Sequence, residues 1–291
     1  MTKRTNRIGR HLPTSGGAKK MLERAEQLGC ETVQIFVSNP QGWAEPTPRP
    51  DAEVFVEGAG RIGLSPVVVH SKYLINLAST KPESRERSIR SLSRELGAAG
   101  ELGAELVVVH CGSHGGDGET EGLKRLADGL VRAREMAAAE TGSRPPAEPI
   151  AENSVGAGTQ LCSTFEALGE VVRRAEVRIC IDTAHAFVAG YDLSTPDGAR
   201  KVVEELRANL GLCVALLHLN DAKNELGSHR DGHRRIGEGR VPRESWAALF
   251  GSLPGVPVVM ETPYDTPEVD AEQVRLVKEL AGGLSNSAAG I

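Results

Sequence analysis

The chain has 291 residues, of which 40% are hydrophobic, 25% are charged and 3% are aromatic, and its formal net charge is -5 at pH 7. The length suits one large domain, since a (β/α)8 barrel needs about 250 residues, and the negative charge argues against a broadly basic surface for nucleic acid. No stretch approaches the ~20 apolar residues of a membrane span, and the first residues are not followed by the apolar region of a signal peptide, so we expect a cytoplasmic protein without a membrane partner.

Eight short apolar runs recur along the chain and are typical of strands buried on both faces. In order, they are Arg7–Leu12, Thr32–Val37, Pro66–His70, Leu106–His110, Pro149–Glu152, Arg178–Asp182, Val214–Leu219 and Val256–Glu261. Segments with apolar residues at helical spacing lie between them, as at Leu123, Leu126 and Leu130. Residues 163–166, Ser-Thr-Phe-Glu, resemble a capping box that opens a helix, with Phe165 and Leu168 on its inner face.

Strands and helices alternate throughout, which favours a parallel sheet, and eight repeats favour its closure. We therefore predict an α/β fold consisting of a single (β/α)8 TIM barrel over residues 1–282. Small and polar side chains follow, and they bury little surface, so we expect residues 283–291 to form a flexible tail.

Six of the eight runs end on a residue that can bind a metal ion. These residues are His70, His110, Glu152, Asp182, His218 and Glu261. A single strand-end histidine is usually only hydrogen-bonded, but in a parallel barrel all the strand ends open onto one rim. Six such residues at one rim therefore favour a multinuclear metal centre.

Two short motifs add three further candidate ligands at the same rim: His185, Asp231 and His233. The total of nine exceeds the three that a single catalytic zinc ion needs, so two or three ions with shared carboxylates are expected. Histidine and carboxylate ligands suit zinc or manganese better than magnesium. His11, His114 and His229 fall outside the pattern; His114 would either lie beside the ligands or hold its own loop.

The five cysteines are widely spaced, and none belongs to a CxxC pair. They are Cys30, Cys111, Cys162, Cys180 and Cys213. This pattern predicts buried free thiols rather than a zinc–thiolate site.

The motifs around the candidate ligands resemble those of the endonuclease IV family, the zinc-dependent abasic-site endonucleases of base excision repair. They are Gly16-Gly17, Gln34-Ile-Phe-Val-Ser-Asn39-Pro, Tyr73-Leu-Ile-Asn76-Leu-Ala-Ser, His110-Cys-Gly-Ser-His, Glu152-Asn-Ser-Val-Gly-Ala-Gly, Asp182-Thr-Ala-His185-Ala-Phe, His218-Leu-Asn-Asp221-Ala-Lys and Asp231-Gly-His233. The resemblance covers nearly the whole chain. Nine ligands in the family's order and spacing make it specific.

The resemblance implies a cofactor of three Zn²⁺ ions, with Mn²⁺ as a second candidate at one site. Glu152 would be shared by two of the ions. The implied ligand sets are His70, His110 and Glu152; Glu152, Asp182, His218 and Glu261; and His185, Asp231 and His233.

The resemblance also implies an activity. The enzyme would cleave the phosphodiester bond 5′ to an abasic site in duplex DNA, by attack of a metal-activated hydroxide, and leave a 3′-hydroxyl and a 5′-deoxyribose phosphate. Glu152 and Glu261 are the implied catalytic residues. The enzyme would act as a monomer, and its partner would be DNA with abasic sites or 3′-blocked ends. Binding to this DNA would associate it with the nucleoid. The implied DNA-binding residues are Asn39, Gln41, Trp43, Tyr73 and Asn76.

Two positions depart from the family pattern. Members of the family often carry arginine where this chain has Gln41-Gly42, and again between the aspartate and histidine of the seventh loop, where Gly232 stands. We expect weaker DNA binding rather than lost chemistry, unless another arginine substitutes. The candidates are Arg49, Arg230, Arg234 and Arg235.

Two other functions fit part of the pattern. A metal-dependent sugar isomerase or epimerase can share the barrel and its strand-end ligands, but it needs fewer ions and the chain has few aromatic residues for a sugar pocket. A non-catalytic sensor of DNA lesions would keep the barrel and lose turnover, but loss of turnover usually removes a ligand, and here all nine are present.

Overall fold

The computed structural model describes residues 5–140, 142–211 and 213–282. Its strands are β1 Ile8–His11, β2 Thr32–Ile35, β3 Val67–His70, β4 Leu106–His110, β5 Glu148–Glu152, β6 Arg178–Asp182, β7 Val214–His218, β8 Asp221–Ala222, β9 His233–Arg234 and β10 Val258–Met260. Its helices are α1 Gly17–Gln27, α2 Ala52–Ile62, α3 Pro82–Glu101, α4 Glu119–Ala139, α5 Phe165–Ala175, α6 Thr183–Ala189, α7 Pro196–Leu210, α8 Arg243–Ser252 and α9 Pro267–Gly282. The tail expected at 283–291 lies outside the described residues.

Eight parallel strands close into a barrel in the order β1-β10-β7-β6-β5-β4-β3-β2. Each of the eight predicted runs contains or overlaps one of these strands, so the predicted single barrel is confirmed. The short strands β8 and β9 form a separate antiparallel pair in the long loop after β7. No described helix is long and apolar enough to span a membrane.

The alternation of side chains along each strand aims the candidate ligands into the barrel. Val67 and Val69 of β3 pack outward against the helices, whereas Val68 faces the barrel interior. His70 lies two residues beyond Val68 and therefore points the same way. The same two-residue step separates interior residues from the ligands of β4, β5, β6 and β7.

Strand register then places the ligands side by side. His110 of β4 pairs with Glu152 of β5, and Asp182 of β6 pairs with His218 of β7. The interior beneath them is a compact apolar cluster. It consists of Val68, Leu106, Val108, Ile150, Cys180, Ala215, Leu216 and Val259.

Helix α5 begins one residue later than the predicted capping box requires. Its N-cap is Thr164, in an extended conformation with φ -111° and ψ 150°, and the Thr164 side chain accepts a hydrogen bond from the Ala167 N–H. The prediction that Ser163 caps the helix is therefore wrong. The predicted inner face is confirmed, because Phe165 and Leu168 are both buried.

The five cysteines are free thiols, and four of them are buried. Only Cys213 is partly exposed. The prediction of buried free thiols is therefore confirmed for four of the five cysteines.

Candidate metal centre

The carboxyl ends of the barrel strands surround a cavity of about 550 Å³. Seven side chains predicted to bind metal or DNA line it: His70, Tyr73, His110, His185, Asp231, His233 and Glu261. Glu152 lines an adjoining cavity of about 280 Å³. Asp182 and His218 are fully buried.

The candidate ligands meet in three groups whose nitrogen and oxygen atoms lie within 4.8 Å of one another. The groups are His70, His110 and Glu152; Glu152, Asp182, His218 and Glu261; and Asp182, His185 and His233. Asp231 joins the third group, since its Oδ1 lies 3.5 Å from His185 Nε2 and 3.6 Å from His233 Nε2. All nine predicted residues thus converge on one rim, and their role as ligands stays a prediction.

The first group is built around one oxygen of the buried Glu152 carboxylate. Its Oε2 lies 3.4 Å from His70 Nε2 and 3.1 Å from His110 Nε2. Both contacts lack hydrogen-bond geometry, so Oε2 is buried without a hydrogen-bond partner. An unpaired carboxylate oxygen facing two imidazole nitrogens is the arrangement that a divalent cation would satisfy.

The second group is built around His218. Its Nδ1 lies 2.8 Å from Glu152 Oε1 and 3.2 Å from Glu261 Oε2. On the other side of the ring, Nε2 lies 2.8 Å from Gln34 Oε1. Without a metal ion the ring donates from both nitrogens, from Nε2 to this amide oxygen and from Nδ1 to Glu152 Oε1, and despite burial its pKa is raised well above the ordinary value because the Glu261 and Glu152 carboxylates favour the charged form. A metal ion would bind in place of the Nδ1 proton.

Gln34 contacts two candidate ligands and is not among the residues predicted from the sequence to form the site. Besides accepting from His218, its amide Nε2 donates to Glu261 Oε1 over 2.6 Å and lies 3.1 Å from His11 Nδ1. It therefore fixes the orientation of two candidate ligands. The available signal was a polar side chain inside the apolar run of β2, where an unpartnered amide would be costly to bury.

Backbone carbonyls orient two further imidazoles. His70 Nδ1 lies 2.8 Å from the Ser71 carbonyl, and His185 Nδ1 lies 3.0 Å from the Asn153 carbonyl. With Nδ1–H donating, each ring turns Nε2 toward the cavity, where a metal ion would bind in place of the Nε2 proton.

Two asparagines hold the buried Asp182. The Asn220 amide donates to Asp182 Oδ2 over 2.6 Å, and its own oxygen accepts from the Glu261 N–H. Asn153 accepts from the Asp182 N–H and donates to the Asp182 carbonyl. The other carboxylate oxygen of Asp182 accepts from the His185 N–H as the N-cap of α6. The carboxylate is thus fixed before any ion binds.

Mutual charge shifts the pKa values of the candidate ligands strongly. Burial by itself raises the pKa of Glu152, but the charges of His218 and His110 outweigh it and hold this pKa well below its usual range. Burial likewise opposes protonation of His185, yet the Asp182 and Asp231 carboxylates raise its pKa to about 10. The site carries an excess of anionic groups that draw protons onto imidazoles when no metal ion is present.

The candidate ligand atoms are imidazole nitrogens and carboxylate oxygens, and this set can hold divalent cations without help from a cysteine thiolate. Besides Glu152 Oε2, the Nε2 atom of His233 is buried without a hydrogen-bond partner. Cys180 lies close to Glu152 and His218, but burial raises the pKa of its thiol to about 12, which makes it a poor ligand.

The residues predicted to contact DNA lie on two neighbouring rim loops. Tyr73 has an exposed side chain, and its ring stacks on His110 with centroids 5.8 Å apart. Asn39 and Gln41 are exposed on the loop after β2. Trp43 lies nearby on that loop, with the Arg87 guanidinium 4.3 Å from its ring centre.

Asn76 has a more internal setting than the other four. Its amide oxygen accepts from the Ala78 and Ser113 N–H groups, and its amide nitrogen donates to the Ser113 carbonyl. The side chain ties the loop after β3 to the loop after β4. Any contribution of Asn76 to DNA binding therefore passes through the position of these loops.

The histidines outside the ligand pattern have distinct settings. His114 Nδ1 accepts from the Gly116 and Gly118 N–H groups, so this residue holds its own loop. His229 contacts the Val155 carbonyl. His11 lines the main cavity, and burial lowers its pKa to about 4, which leaves the ring neutral.

Comparison with known proteins identifies the family of this chain. The family model for xylose isomerase-like TIM barrels matches residues 22–281. A probable endonuclease 4 of Haloarcula marismortui is 36% identical over 95% of this chain and 99% of its own length. The corresponding protein of Cenarchaeum symbiosum is 37% identical over 94% and 99%. The chain belongs to the endonuclease IV family.

Solved structures agree with this membership. Endonuclease IV from Thermus thermophilus superposes with a TM-score of 0.83 at 32% identity, covering 95% of this chain and 99% of that one. A D-tagatose 3-epimerase-like protein superposes with a TM-score of 0.72 at 20% identity and covers 96% and 100%. This second likeness shows the shared fold alone.

Four arginines are candidates to replace the arginines that this chain lacks at Gln41-Gly42 and at Gly232. Arg49 is paired with Asp51, and Arg235 with Asp265. Arg230 and Arg234 are exposed, and neither has a carboxylate within salt-bridge distance among residues 5–140, 142–211 and 213–282. Each is next to a candidate ligand in sequence, Arg230 before Asp231 and Arg234 after His233.

Proposed function

We propose that this protein is a zinc-dependent abasic-site endonuclease of DNA repair that acts as a monomer. It would cleave the phosphodiester bond 5′ to an abasic site in duplex DNA and leave a 3′-hydroxyl and a 5′-deoxyribose phosphate. DNA with 3′-blocked ends would be a second substrate. Membership of the endonuclease IV family supports the proposal.

One observation carries it furthest. Glu152 is fully buried between candidate ligands on both sides, with His70 and His110 at one oxygen and His218 at the other. A carboxylate in this position bridges two of the three groups and fits two adjacent cations. Sugar isomerases of similar fold need no third ligand set, whereas His185, Asp231 and His233 supply one here.

Three Zn²⁺ ions would occupy these groups, and Mn²⁺ is a candidate at one of them. When bound, they would lower the pKa of water at the site and offset the negative charge that develops on the phosphodiester. Glu261 faces the cavity, with Oε1 held by the Gln34 amide. We assign it the role of orienting the attacking water, while Glu152 holds the ligand groups at a fixed separation.

The rim would hold the distorted DNA. A nucleotide without its base is the least costly to unstack and extrude, and the exposed ring of Tyr73 stands next to the cavity where its sugar would lie. Asn39, Gln41 and Trp43 would contact the duplex from the loop after β2. Asn76 would act by holding the loop that carries Tyr73.

The test is incision of a duplex that contains one site-specific abasic analogue. As-purified protein, chelated protein and chelated protein with added Zn²⁺ are compared, and metal content is measured on each preparation. We expect cleavage 5′ to the lesion that chelation abolishes and Zn²⁺ restores. Glu152→Gln should lower kcat at least about 100-fold, since even supporting residues of metal sites cost 10- to 100-fold.

Glu148→Gln is the matched control. Glu148 lies on the same strand at its opposite end, where it pairs with Arg178. The control should retain activity and metal. Bound metal without incision in the unaltered protein would contradict the proposal and favour a sugar isomerase, and tight binding of abasic DNA by metal-free, inactive protein would favour a lesion sensor.

A further inference from the structure

A buried ion pair lies beneath the two rim loops that carry the proposed DNA-contacting residues. The Lys72 side chain is 0% exposed and that of Glu95 is 1% exposed, and Lys72 Nζ lies 3.5 Å from Glu95 Oε1. Lys72 Nζ also donates to the Ser91 hydroxyl over 3.0 Å. Neither side chain belongs to a candidate ligand group. Burial of two charges costs free energy that an apolar pair of similar volume would not, so packing alone does not account for the pair.

The Glu95 carboxylate is shared between the two loops. Its Oε1 accepts from the Ser38 hydroxyl over 2.7 Å, and its Oε2 accepts from the Lys72 N–H over 3.1 Å. Ser38 belongs to the loop after β2, at 36–51, and Lys72 to the loop after β3, at 71–81. Glu95 itself lies on α3, so one side chain fastens both loops to one helix.

Other contacts join the same elements. The Tyr73 N–H donates to the Pro40 carbonyl over 3.1 Å, which links the loops directly. Arg87 of α3 covers the Trp43 ring. The first proposed DNA-contacting residue of each loop thus follows one of these contacts directly: Asn39 follows Ser38, and Tyr73 follows Lys72.

We infer that Glu95 and Lys72 are positioning residues that set the spacing of these two loops and thereby the affinity for damaged DNA. The inference rests on the proposed function. A duplex that must be bent and opened can be gripped from two loops only if their separation is fixed in advance, because loop ordering on binding costs affinity. The pair acts on substrate binding and leaves the chemical step unchanged.

Ser38→Ala is the sharpest test, because it removes the link to one loop and leaves the buried ion pair intact. We expect KM for abasic duplex DNA to rise about fivefold, with kcat at saturating DNA and metal content unchanged. Ser38→Thr keeps the hydroxyl and should restore KM. Ser65→Ala is the matched control: it removes a serine–glutamate hydrogen bond of 3.1 Å to Glu105 at the opposite end of the barrel.

Lys72→Met and Glu95→Gln extend the test to the pair itself, and the Ser38 series decides the question if either variant fails to fold. Trp43 fluorescence gives a readout that needs no DNA, since the other tryptophan, Trp246, is buried. Ser38→Ala should make Trp43 more accessible to acrylamide. Unchanged KM and unchanged quenching would overturn the inference, as would a fall in kcat accompanied by loss of metal.

The two proposals fail in different ways. Absence of incision by the unaltered, metal-loaded protein would contradict the proposed function, whatever the Ser38 variants show. A normal unaltered enzyme whose Ser38→Ala variant behaves like Ser65→Ala would contradict the positioning role alone.

Discussion

The ring orientations of two histidines in the candidate metal centre are set by neighbouring groups that are not candidate ligands. His218 is oriented by the Gln34 amide, and the same amide holds Glu261. His70 needs only the carbonyl of the next residue. The carbonyl is supplied by the backbone whatever the sequence, whereas the amide depends on one side chain.

Gln34→Leu should therefore weaken metal binding while leaving the ligand residues in place. We expect a 10- to 100-fold loss of Zn²⁺ affinity, the usual effect of removing a group that orients a metal ligand. Competition with a chromophoric chelator measures it. Gln27→Leu, an exposed change on α1, should have no effect; equal affinities for the two variants would contradict the role assigned to Gln34.

Protons and metal ions compete for His185. In the metal-free protein its pKa is raised to about 10, so the ring holds a proton at pH 7, while the pKa of Asp231 is lowered to about 2 by its hydrogen bond from His185. Metal binding at the third group must displace the His185 proton, and Zn²⁺ affinity should fall as pH falls from 8 to 6. Calorimetry in buffers of different ionisation enthalpy should detect proton release, and His185→Gln should reduce it.

The metal-free fold responds to pH in the opposite sense. A raised histidine pKa contributes stability that is fully present below the ordinary value of 6.5 and is lost as pH rises toward about 10. Urea unfolding of chelated protein should therefore show His185 stabilising the fold at pH 6 more than at pH 9. The comparison is between unaltered protein and His185→Gln, both chelated. A difference in their free energies of unfolding that grows from pH 6 to pH 9 would contradict the assignment.

At the scale of elements, the strands were predictable and the start of α5 was not. Apolar runs identify buried strands because every second residue packs against helices and the others fill the barrel. Capping depends instead on which of two adjacent hydroxyls reaches the Ala167 N–H, and the backbone selects Thr164. Sequence alone favours Ser163, because Glu166 stands three residues after it, as a capping box requires.

Thr164→Ala should lower the free energy of unfolding by about 1 kcal/mol, the usual effect of losing an N-cap side chain. Ser163→Ala is the matched control and should change stability by much less. Urea unfolding of the two variants gives the comparison. A larger loss from Ser163→Ala would mean that the helix begins where the capping box placed it.

The convergence of the candidate ligands was predictable for the same reason as the strands. Six of the nine lie at barrel strand ends, with the same inward alternation as the buried residue two positions before each of them. The supporting contacts were not, because they join distant parts of the chain: Ser38 and Glu95 are 57 positions apart. Nothing in a local pattern distinguishes the buried Lys72 from a solvated lysine.

At the scale of the whole molecule, the net charge of -5 opposes approach to DNA, so local cations must supply the attraction. Arg234 is exposed and follows the candidate ligand His233 in sequence, whereas Arg235 is engaged with Asp265. Arg234→Gln should weaken binding to damaged and undamaged duplexes alike and lower the slope of log affinity against log salt by about 1.

Arg235→Gln is the control for that measurement, since its charge is already neutralised by Asp265. Fluorescence anisotropy at several salt concentrations gives both slopes. Identical slopes for Arg234→Gln and the unaltered protein would exclude a phosphate contact at this position.

The alternation along the strands makes the protein unequally tolerant of changes in chain length. Deletion of one residue between Val67 and His70 would turn the imidazole out of the barrel and bring Ser71 to its place at the rim, because each position along a strand reverses the direction of its side chain. The same deletion within the loop at 36–51 lies outside the barrel strands and would leave the direction of every candidate ligand unchanged. Changes in chain length are therefore tolerated in the rim loops, whereas the strands that carry the candidate ligands must keep their length to the residue.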